Sequence, residues 1–529
     1  MKIALIAPPY PLEEAPSPPL GLCYVAAACE AAGAEVIILD YIVSRYTSEK
    51  LKASLDTFQP DVVGATSVTM NFLGAIRIIQ DAKRHNPDII TMMGGPHVSF
   101  DVHGTFSRYP ELDLIVIGEG EQTLAELVPV ITSRHEWKQI NGIAFRKDDK
   151  TVITPDRELI HDLDSLPLPA RHLLPMSRYL ALGFPVSIIT SRGCPNKCIF
   201  CLGRRMVGFK GRHRTPKLVV DEIEHILDYG FTRINIADDL FTANKKRVMA
   251  LCKEIIARGV RFTWSAFARV NTVDVEILSA MKEAGCDSIS FGIESGNKEM
   301  LKRIKKGITL DQARKAVACC NEVDIITHAS FMVGLPGETM ETLHDTASFA
   351  KELGIAYGYH FLAPFPGTTV REDIELYDLK ILTDIWSLYD ANRPIVQTEN
   401  LTPDQMQSFV KEFEDEQDQK WRQTEQLYKE KKCTPYEQLL VEGHKRMRLI
   451  YNLLSEDMIE DAQWEGVPQS DPAALLSLSI AQRSGSDKVF VHTIIKDLMS
   501  AGYIRHESNG GATKFYWTHS KFQEKSPVS

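Results

Sequence analysis

Three cysteines stand close together near the middle of the chain and offer its most specific chemistry. The segment 191–201 reads SRGCPNKCIFC and holds Cys194, Cys198 and Cys201 in a C-x3-C-x2-C spacing. Thiolates are the ligands that hold iron–sulfur clusters, and three of them leave one iron of a four-iron cubane open to an amino and a carboxylate group. A zinc loop or three unrelated thiols are the alternatives, but a fourth zinc ligand is not evident nearby. The spacing therefore predicts a [4Fe–4S] cluster with one open iron.

This cysteine spacing, in a loop directly after a predicted strand, resembles the cluster motif of the radical S-adenosylmethionine (SAM) superfamily. The resemblance implies that the cluster passes an electron into the sulfonium of SAM, which breaks a carbon–sulfur bond and releases a 5′-deoxyadenosyl radical. It also implies that later strand ends contact SAM, with an arginine for its carboxylate and glycines for close approach to the adenine. The expected SAM contacts are Asp238, Arg269, Glu294, Ser295, Gly334 and Gly337.

Strands and helices alternate across this part of the chain, as their apolar periodicity indicates. The strands are expected at 186–190, 233–237, 262–267, 288–293, 327–333 and 357–362, and the helices at 216–229, 244–258, 274–284, 297–304, 310–322 and 340–353. Six such units predict a partial (β/α)6 barrel. Its reactive face should lie at the carboxyl ends of the strands, as in complete (β/α)8 barrels.

A separate α/β series occupies the beginning of the chain and predicts a doubly wound, Rossmann-like sheet. Short strands are expected at 3–6, 35–39, 62–65, 89–93 and 114–117, with helices at 21–32 and 73–85. The turn after the first strand reads APPY instead of the G-x-G-x-x-G of a dinucleotide site. A Rossmann dinucleotide site is therefore not expected here.

The strand ends of this first domain resemble the cobalamin-binding domain that precedes many radical SAM barrels. Small residues there would let the corrin and its nucleotide tail approach the backbone, and polar ones would bond to its amides or ribose. The expected cobalamin contacts are Pro9, Leu20, Ser67, Thr69, Met70, Asn71, Gly94, Gly95, His97, Gly118, Glu119 and Gly120. A degenerate flavodoxin-like domain, in which these are ordinary turn residues, is the alternative.

A histidine ligand to cobalt is not expected from the loop that supplies one in the methionine-synthase type of domain. The D-x-H-x-x-G motif of that type begins at Asp101 and His103, but Phe106 replaces its glycine. Met70 and Asn71 are instead the candidates to lie under cobalt.

The chain of 529 residues is too long for one hydrophobic core, so several domains are expected. Their predicted bounds are a cobalamin-binding domain at 1–140, a proline-punctuated linker at 141–179, the barrel at 180–395, a helical region at 396–465 and a winged-helix-like tail at 466–529. The tail prediction rests on helices at 473–478 and 489–500, strands at 502–505 and 514–517, and a turn at 508–511.

Composition and charge indicate the cellular location of the protein and which surfaces it is not expected to bind. A net charge of −10 does not favour a broad DNA-binding or membrane surface, and no apolar stretch approaches the length of a membrane span. The apolar run at the N-terminus is shorter than that of a signal peptide. We therefore expect a cytoplasmic protein whose ten cysteines are mostly reduced thiols, with the tight cluster binding a metal.

A radical generator beside cobalamin predicts C-methylation, because a carbon radical can take a methyl group from methylcobalamin. This layout resembles the class B radical methylases, in which one SAM remethylates the cobalamin and another gives the radical. A peptide or protein side chain is a candidate substrate, and the glutamine of methyl-coenzyme M reductase is one example. An electron donor such as ferredoxin or flavodoxin is the expected partner.

Three other functions fit parts of the sequence. The oxidative cyclase of anaerobic chlorophyll synthesis and ring-contracting enzymes share the same two domains, so a cyclase or rearrangement enzyme acting on a tetrapyrrole is one alternative. A cobalamin and cluster sensor with the winged tail as its output is another. The third is a methylthiotransferase, whose cluster motif is similar. Such an enzyme would carry a second cysteine trio in its N-terminal domain, which Cys23 and Cys29 cannot supply.

Overall fold

The computed structural model describes residues 1–10, 16–147, 150–465, 471–509 and 512–519, and its first unit is a seven-stranded sheet. The strands are β1 (Lys2–Ala7), β2 (Glu35–Asp40), β3 (Val62–Thr66), β4 (Ile90–Gly94), β5 (Leu114–Val116), β6 (Ile143–Lys147) and β7 (Lys150–Ile153). Their order is β2-β1-β3-β4-β5-β6-β7, parallel through β5 and antiparallel beyond it.

Helices cover both faces of this sheet, as the doubly wound prediction requires. They are α1 (Leu20–Ala31), α2 (Ser48–Phe58), α3 (Phe72–His85), α4 (Pro96–Phe100), α5 (Val102–Arg108) and α6 (Glu121–Leu127). Alternate residues of β1 serve opposite faces: Leu5 packs in the cluster that contains α1 and α6, and Ile6 packs with α2 and α3. The carboxyl ends of five parallel strands consequently meet at one edge.

The segment predicted as a linker at 141–179 differs from that expectation. It begins with β6 and β7, which extend the first sheet, and Ile143 and Phe145 are buried in its core. Only after this hairpin does the chain run as a connector, to the short helix α7 (Met176–Leu182). The first structural unit therefore continues past residue 140.

The second unit is the partial barrel, and its fold class is confirmed. The strands that follow are β8 (Val186–Ile188), β9 (Ser191–Arg192), β10 (Arg212–His213), β11 (Arg233–Ile236), β12 (Thr263–Ala268), β13 (Cys286–Glu294), β14 (Ile326–Val333) and β15 (Ala356–Phe361). Six of them form a parallel sheet in the order β8-β11-β12-β13-β14-β15, while β9 and β10 form a separate antiparallel pair.

Helices follow the barrel strands close to their predicted positions. They are α8 (Gly203–Val207), α9 (Pro216–Tyr229), α10 (Lys245–Ala257), α11 (Val275–Glu283), α12 (Lys298–Arg303), α13 (Leu310–Glu322) and α14 (Met340–Leu353). Side-chain caps define several of their starts. Asp274 accepts a hydrogen bond from the backbone of Ile277, and Thr309 and Gln312 form a reciprocal capping box.

The remaining chain forms a helical region and a compact tail. Its elements are α15 (Thr369–Glu372), β16 (Leu379–Ile381), β17 (Val396–Thr398), α16 (Pro403–Lys429), α17 (Pro435–Ser455), β18 (Gln463–Glu465), α18 (Pro472–Ser484), α19 (Lys488–Ser500), β19 (Ile504–Asn509) and β20 (Ala512–Trp517). Two helices beside a three-stranded sheet give the winged-helix-like arrangement, although part of the predicted turn, residues 510 and 511, lies outside the described residues. Within the described ranges, no helix is long and apolar enough to cross a membrane.

Candidate active site

The cysteine loop directly follows β9 and is held in place by its own backbone. The amide of Cys194 donates to the carbonyl of Gly208 at 3.1 Å. Gly193 has φ of +107°, and a β-carbon on it would lie 2.3 Å from the carbonyl oxygen of Lys210. Only glycine fits such a position without strain or displacement. The turn into the first cysteine is therefore fixed by local packing.

The three thiols of this loop are at least partly accessible, and two of them accept hydrogen bonds. Cys194 and Cys198 are half-buried and Cys201 is exposed. Asn196 donates to the Cys194 sulfur at 3.3 Å, and Arg269 donates to the Cys198 sulfur at 3.7 Å. Hydrogen bonds to such sulfurs tune the potential of a cluster. The predicted residue Arg269 thus lies beside the cysteines.

The ten cysteines form no disulfide, and the described residues contain no group of three His, Cys, Asp or Glu side chains arranged to hold one metal ion. In a cubane, each cysteine binds a different iron. The free thiols of the loop suit that cluster, and their role as its ligands stays a prediction.

Two of the predicted SAM contacts are engaged within the protein. Glu294, at φ of +74°, pairs with Lys306 at 2.7 Å, and the hydroxyl of Ser295 lies 3.2 Å from that of Thr346. A positive φ at a non-glycine residue is uncommon and often marks a functional position. These residues lie at the carboxyl end of β13, and their contact with SAM stays a prediction.

The loop after β14 contains the predicted glycines Gly334 and Gly337, both with positive φ. Glu338 supports it by accepting hydrogen bonds from the amides of Gly334 and Leu335 at 2.6 and 3.2 Å. Burial raises the pKa of Glu338 to about 8. A buried carboxyl group therefore holds the backbone of this loop in place.

Asp238, another predicted SAM contact, is also engaged within the protein. Its carboxylate is buried and accepts hydrogen bonds at 2.6 Å from the amide and hydroxyl of Thr190 and from the hydroxyl of Ser191. Its neighbour Asp239 accepts from the amide of Gly193 at 2.9 Å and lines a cavity between the first sheet and the cysteine loop. Asp238 thus supports the cysteine loop, and Asp239 faces the site.

A cavity of about 360 Å³ lies where the first sheet meets the cysteine loop. Its walls come from the ends of β3, β4 and β5, from α1 and α6, and from β9 and α8 of the second unit. Five of the predicted cobalamin contacts line it: Gly94, Gly95, Gly118, Glu119 and Gly120. The other seven do not line it: Pro9, Leu20, Ser67, Thr69, Met70, Asn71 and His97.

The lining of this cavity suits an organic group that approaches the backbone closely. A β-carbon on Gly21 or Gly118 would meet no atom within 4 Å, so both glycines leave the space beside them open. Deeper in the cavity, Val116 and Leu124 supply apolar walls. Cofactor sites are typically apolar clefts with a few polar groups, and these residues therefore fit cobalamin.

His97 is a buried packing residue rather than part of the cavity wall. It is 1% exposed, its ring lies 4.0 Å from that of Phe72 and 4.9 Å from that of Trp386, and its Nδ1 is 3.2 Å from the hydroxyl of Thr69. Burial lowers the pKa of His97 to about 3. His97 and Thr69 thus pack the first sheet against the segment after the barrel.

The turn predicted to lie under cobalt is also held internally. The side chain of Asn71 accepts from the amide of Val68 at 2.9 Å. Neither Asn71 nor Met70 reaches the cavity.

Glu119 lines the cavity, but its carboxylate is bound to the second unit. It accepts from Arg212 at 2.7 and 2.8 Å and from Arg192 at 3.1 Å, while Glu121 accepts from Arg192 at 2.5 Å. All four side chains are at least nine-tenths buried. Burial opposes ionisation of Glu119, but hydrogen bonds and charge from the two arginines lower its pKa. We name these residues the interdomain network; it joins the first sheet to the strands that flank the cysteine loop.

Two family models match the two units. Residues 188–350 match the radical SAM superfamily, and residues 14–128 match the B12 binding domain. The fold and the site thus define a cobalamin-dependent radical SAM enzyme, with a [4Fe–4S] cluster, SAM and cobalamin as its cofactors.

Individual relatives agree with both units. An uncharacterized methyltransferase of Pyrococcus horikoshii is 35% identical over 421 residues, which is 78% of this chain and 91% of that protein. The anaerobic magnesium-protoporphyrin IX monomethyl ester cyclase of Rubrivivax gelatinosus is 33% identical over 348 residues, which is 63% of this chain and 62% of the cyclase. The solved structure of the radical SAM methyltransferase TsrM from Kitasatospora setae, with cobalamin and cluster bound, has the same fold, with a TM-score of 0.64, 19% identity and coverage of 95% of this chain and 99% of TsrM. The chain belongs to the cobalamin-dependent radical SAM methyltransferase family.

Several residues of the site were missed by the sequence analysis. Asp239, Met206 and Gly21 line the cavity, and Arg212 anchors Glu119. Asp239 could have been found because it adjoins Asp238 after a strand. The segment that holds Met206 carried no motif, and nothing local links Arg212 to a carboxylate 93 residues away.

Proposed function

We propose that this enzyme methylates an unactivated carbon of a polar, hydrogen-bonding substrate such as a peptide or protein side chain. The observation that carries the proposal is a shared wall. Ser191, Arg192 and Met206 flank the cysteines and line the same cavity as Gly94 and Gly118 of the first unit. A methyl source in that cavity would lie next to the place where a substrate radical is made.

The chain's own residues would hold and orient the reacting groups. When bound, the cluster with SAM supplies the radical that removes a substrate hydrogen, and cobalamin supplies the methyl group that the carbon radical takes up. Cys194, Cys198 and Cys201 would hold the cluster, and Arg269 would donate a hydrogen bond to one of its sulfur ligands. The interdomain network would hold the cavity and the cysteine loop in a fixed position relative to each other.

The overall stoichiometry is testable without knowing the substrate. Each methyl transfer consumes two SAM and two electrons and converts a C–H bond to a C–CH3 bond. The by-products are methionine, 5′-deoxyadenosine and S-adenosylhomocysteine.

Polar side chains on the inner face of the barrel favour a polar substrate. Complete barrels fill this space with branched apolar side chains. Here Asn235 and Ser265 face each other on neighbouring strands, with Ser265 donating to Asn235 at 3.1 Å, while Ile234 and Ile236 point outward into the apolar core. Small hydrogen-bonding residues leave room for a side chain that carries an amide or similar group.

A cyclase acting on a tetrapyrrole is the second candidate, and the relative from Rubrivivax gelatinosus favours it. The two functions differ in product. A methylase adds one carbon to its substrate, whereas a cyclase forms a ring without adding a carbon.

Anaerobic reconstitution with iron, sulfide and cobalamin tests the proposal. We expect reduced enzyme to form both 5′-deoxyadenosine and S-adenosylhomocysteine, and mass spectrometry to detect a methylated product among candidate peptides. Cys198→Ala should lose the cluster absorbance and give no 5′-deoxyadenosine, because one iron loses its ligand. A methylated product without either by-product would refute the proposal, and ring closure of a porphyrin would replace it with the cyclase.

A further inference from the structure

Four cationic residues lie within the cysteine loop and directly after it. Lys197, Arg204, Arg205 and Lys210 form this group, which we name the cationic patch. Phe209 lies among them and is 55% exposed, with the Arg204 guanidinium 5.4 Å and the Lys210 ammonium 5.9 Å from its ring centre. These contacts join Arg204, Phe209 and Lys210 into one surface.

The cationic patch has no acidic counterpart in the described parts of the chain. None of its four side chains takes part in the ion pairs found there, and Arg204 donates to a backbone carbonyl, that of Pro195, at 3.2 Å. The chain as a whole carries a net charge of −10. A local excess of positive charge on an acidic protein is therefore available to an outside partner.

The cationic patch also lies close to the cluster ligands in sequence. Lys197, which is exposed, directly precedes Cys198. A β-carbon on Gly203, at the start of α8, would lie 3.6 Å from the sulfur of Cys201. Met206, on the same helix, lines the cavity, so α8 has cavity-facing and solvent-facing residues.

We propose that the cationic patch docks an acidic electron-transfer protein that reduces the cluster through the exposed end of the cysteine loop. This inference rests on the proposed function, because a cluster that cleaves SAM must be reduced. Opposite charge on two proteins steers their encounter and raises the association rate. An exposed aromatic ring flanked by arginine and lysine supplies the kind of anchor that concentrates binding energy at protein interfaces.

The test compares a protein donor with a chemical one on reconstituted enzyme. The variant Arg205→Glu/Lys210→Glu reverses two charges of the cationic patch without touching the cysteines, and Lys52→Glu/Lys253→Glu makes the same charge change at exposed, distant positions. Reduced flavodoxin and dithionite are the two reductants. Cluster reduction is followed by absorbance, and flavodoxin binding is measured by calorimetry.

We expect the patch variant to slow reduction by flavodoxin at least about tenfold and to weaken flavodoxin binding to a similar degree, because complementary charge raises association rates by about 10 to 1,000-fold. Reduction by dithionite, iron content and cobalamin content should match those of the unmodified enzyme. The control variant should bind flavodoxin as the unmodified enzyme does.

Equal slowing by both variants would overturn the inference, since net charge alone would then explain the effect. Slower reduction by dithionite or lower cobalamin content in the patch variant would also overturn it, because these cations would then belong to the cofactor site. If the unmodified enzyme cleaves no SAM with dithionite, the proposed function fails, and the calorimetry still decides whether the cationic patch binds flavodoxin.

Discussion

Two sets of basic residues flank the same cysteine loop, and they differ in how their charges are satisfied. Arg192 and Arg212 are buried and paired with Glu119 and Glu121 across the boundary between the two units. The residues of the cationic patch are at the surface and have no carboxylate partner in the described regions. Similar side chains a few positions apart therefore suit opposite tasks.

The difference teaches how position, not residue type, decides what a cation does. A buried arginine that loses its carboxylate is left with an uncompensated charge in a low-dielectric environment, so it must stay paired. An exposed lysine or arginine loses little when it stays unpaired, because water solvates it. The interdomain network thus fixes geometry, and the cationic patch keeps its charge free for recognition.

Breaking the interdomain network should give the largest change in stability. Glu119→Gln keeps the side-chain size but leaves Arg192 and Arg212 undercompensated in the interior. We expect a loss of about 3–5 kcal/mol in the free energy of unfolding, measured with denaturant on the cluster-free protein.

The matched control is an ion pair whose carboxylate is exposed. Glu126 pairs with Arg157 at 2.5 Å, but the carboxylate is 54% exposed, so Glu126→Gln should cost no more than about 1 kcal/mol. Equal losses for Glu119→Gln and Glu126→Gln would show that burial does not distinguish the two pairs.

Acid should weaken the interdomain network selectively. The pKa of Glu119 lies below its ordinary value of 4.5 in the folded protein, so its stabilising contribution is present above that value and is lost as pH falls through the lowered pKa. Unmodified protein should therefore lose more unfolding free energy than Glu119→Gln on acidification below pH 4.5. Parallel pH curves for the two proteins would contradict the pairing.

Filling the cavity should separate cofactor binding from the interdomain network. Gly21 lies in α1, lines the cavity and has open space where a β-carbon would stand. Gly21→Leu should therefore be tolerated by the fold but weaken cobalamin binding at least about tenfold, which corresponds to about 1.4 kcal/mol. Titration of apoenzyme with cobalamin, followed by absorbance, measures this.

Gly443→Leu is the control for that substitution. Gly443 also lies in a helix with no atom within 4 Å of an added β-carbon, but it is far along the chain in α17. Unchanged cobalamin affinity in Gly21→Leu would mean that the cavity is not where the corrin or its tail binds.

The barrel was predictable because each of its signals is local. Capping residues such as Asp274 and Thr309 mark helix starts, and β-branched runs mark strands, so the expected and observed helices at Pro216–Tyr229, Leu310–Glu322 and Met340–Leu353 have the same bounds. The strands β6 and β7 were missed because they contain charged residues and adjoin a proline-rich stretch. The pairing of β6 with β5, and of β7 with β6, depends on the sheet edge, which no local pattern records.

The candidate site was predictable in position but not in the role of its side chains. Glu119 follows a strand that ends at the cavity, which the sequence indicated, yet its carboxylate binds arginines 73 and 93 residues away. His97 was expected to contact cobalamin, but the packing of Phe72 and Trp386 around it is a tertiary property. Strand ends show where a site lies, whereas partners distant in sequence decide which side chains are free to act.

Salt should produce the smallest and most selective effect. Raising the ionic strength from about 0.05 M to about 0.5 M shortens the range of charge interactions between exposed groups, while buried pairs are screened much less. Reduction of the cluster by flavodoxin should slow severalfold, whereas the difference in unfolding free energy between unmodified protein and Glu119→Gln should change by no more than about 0.5 kcal/mol. Stopped-flow reduction and denaturant unfolding on the same preparations measure both quantities. In Arg205→Glu/Lys210→Glu the salt dependence of reduction should flatten or reverse, because the attraction that salt screens has been removed; an unchanged slope would assign the attraction to another surface.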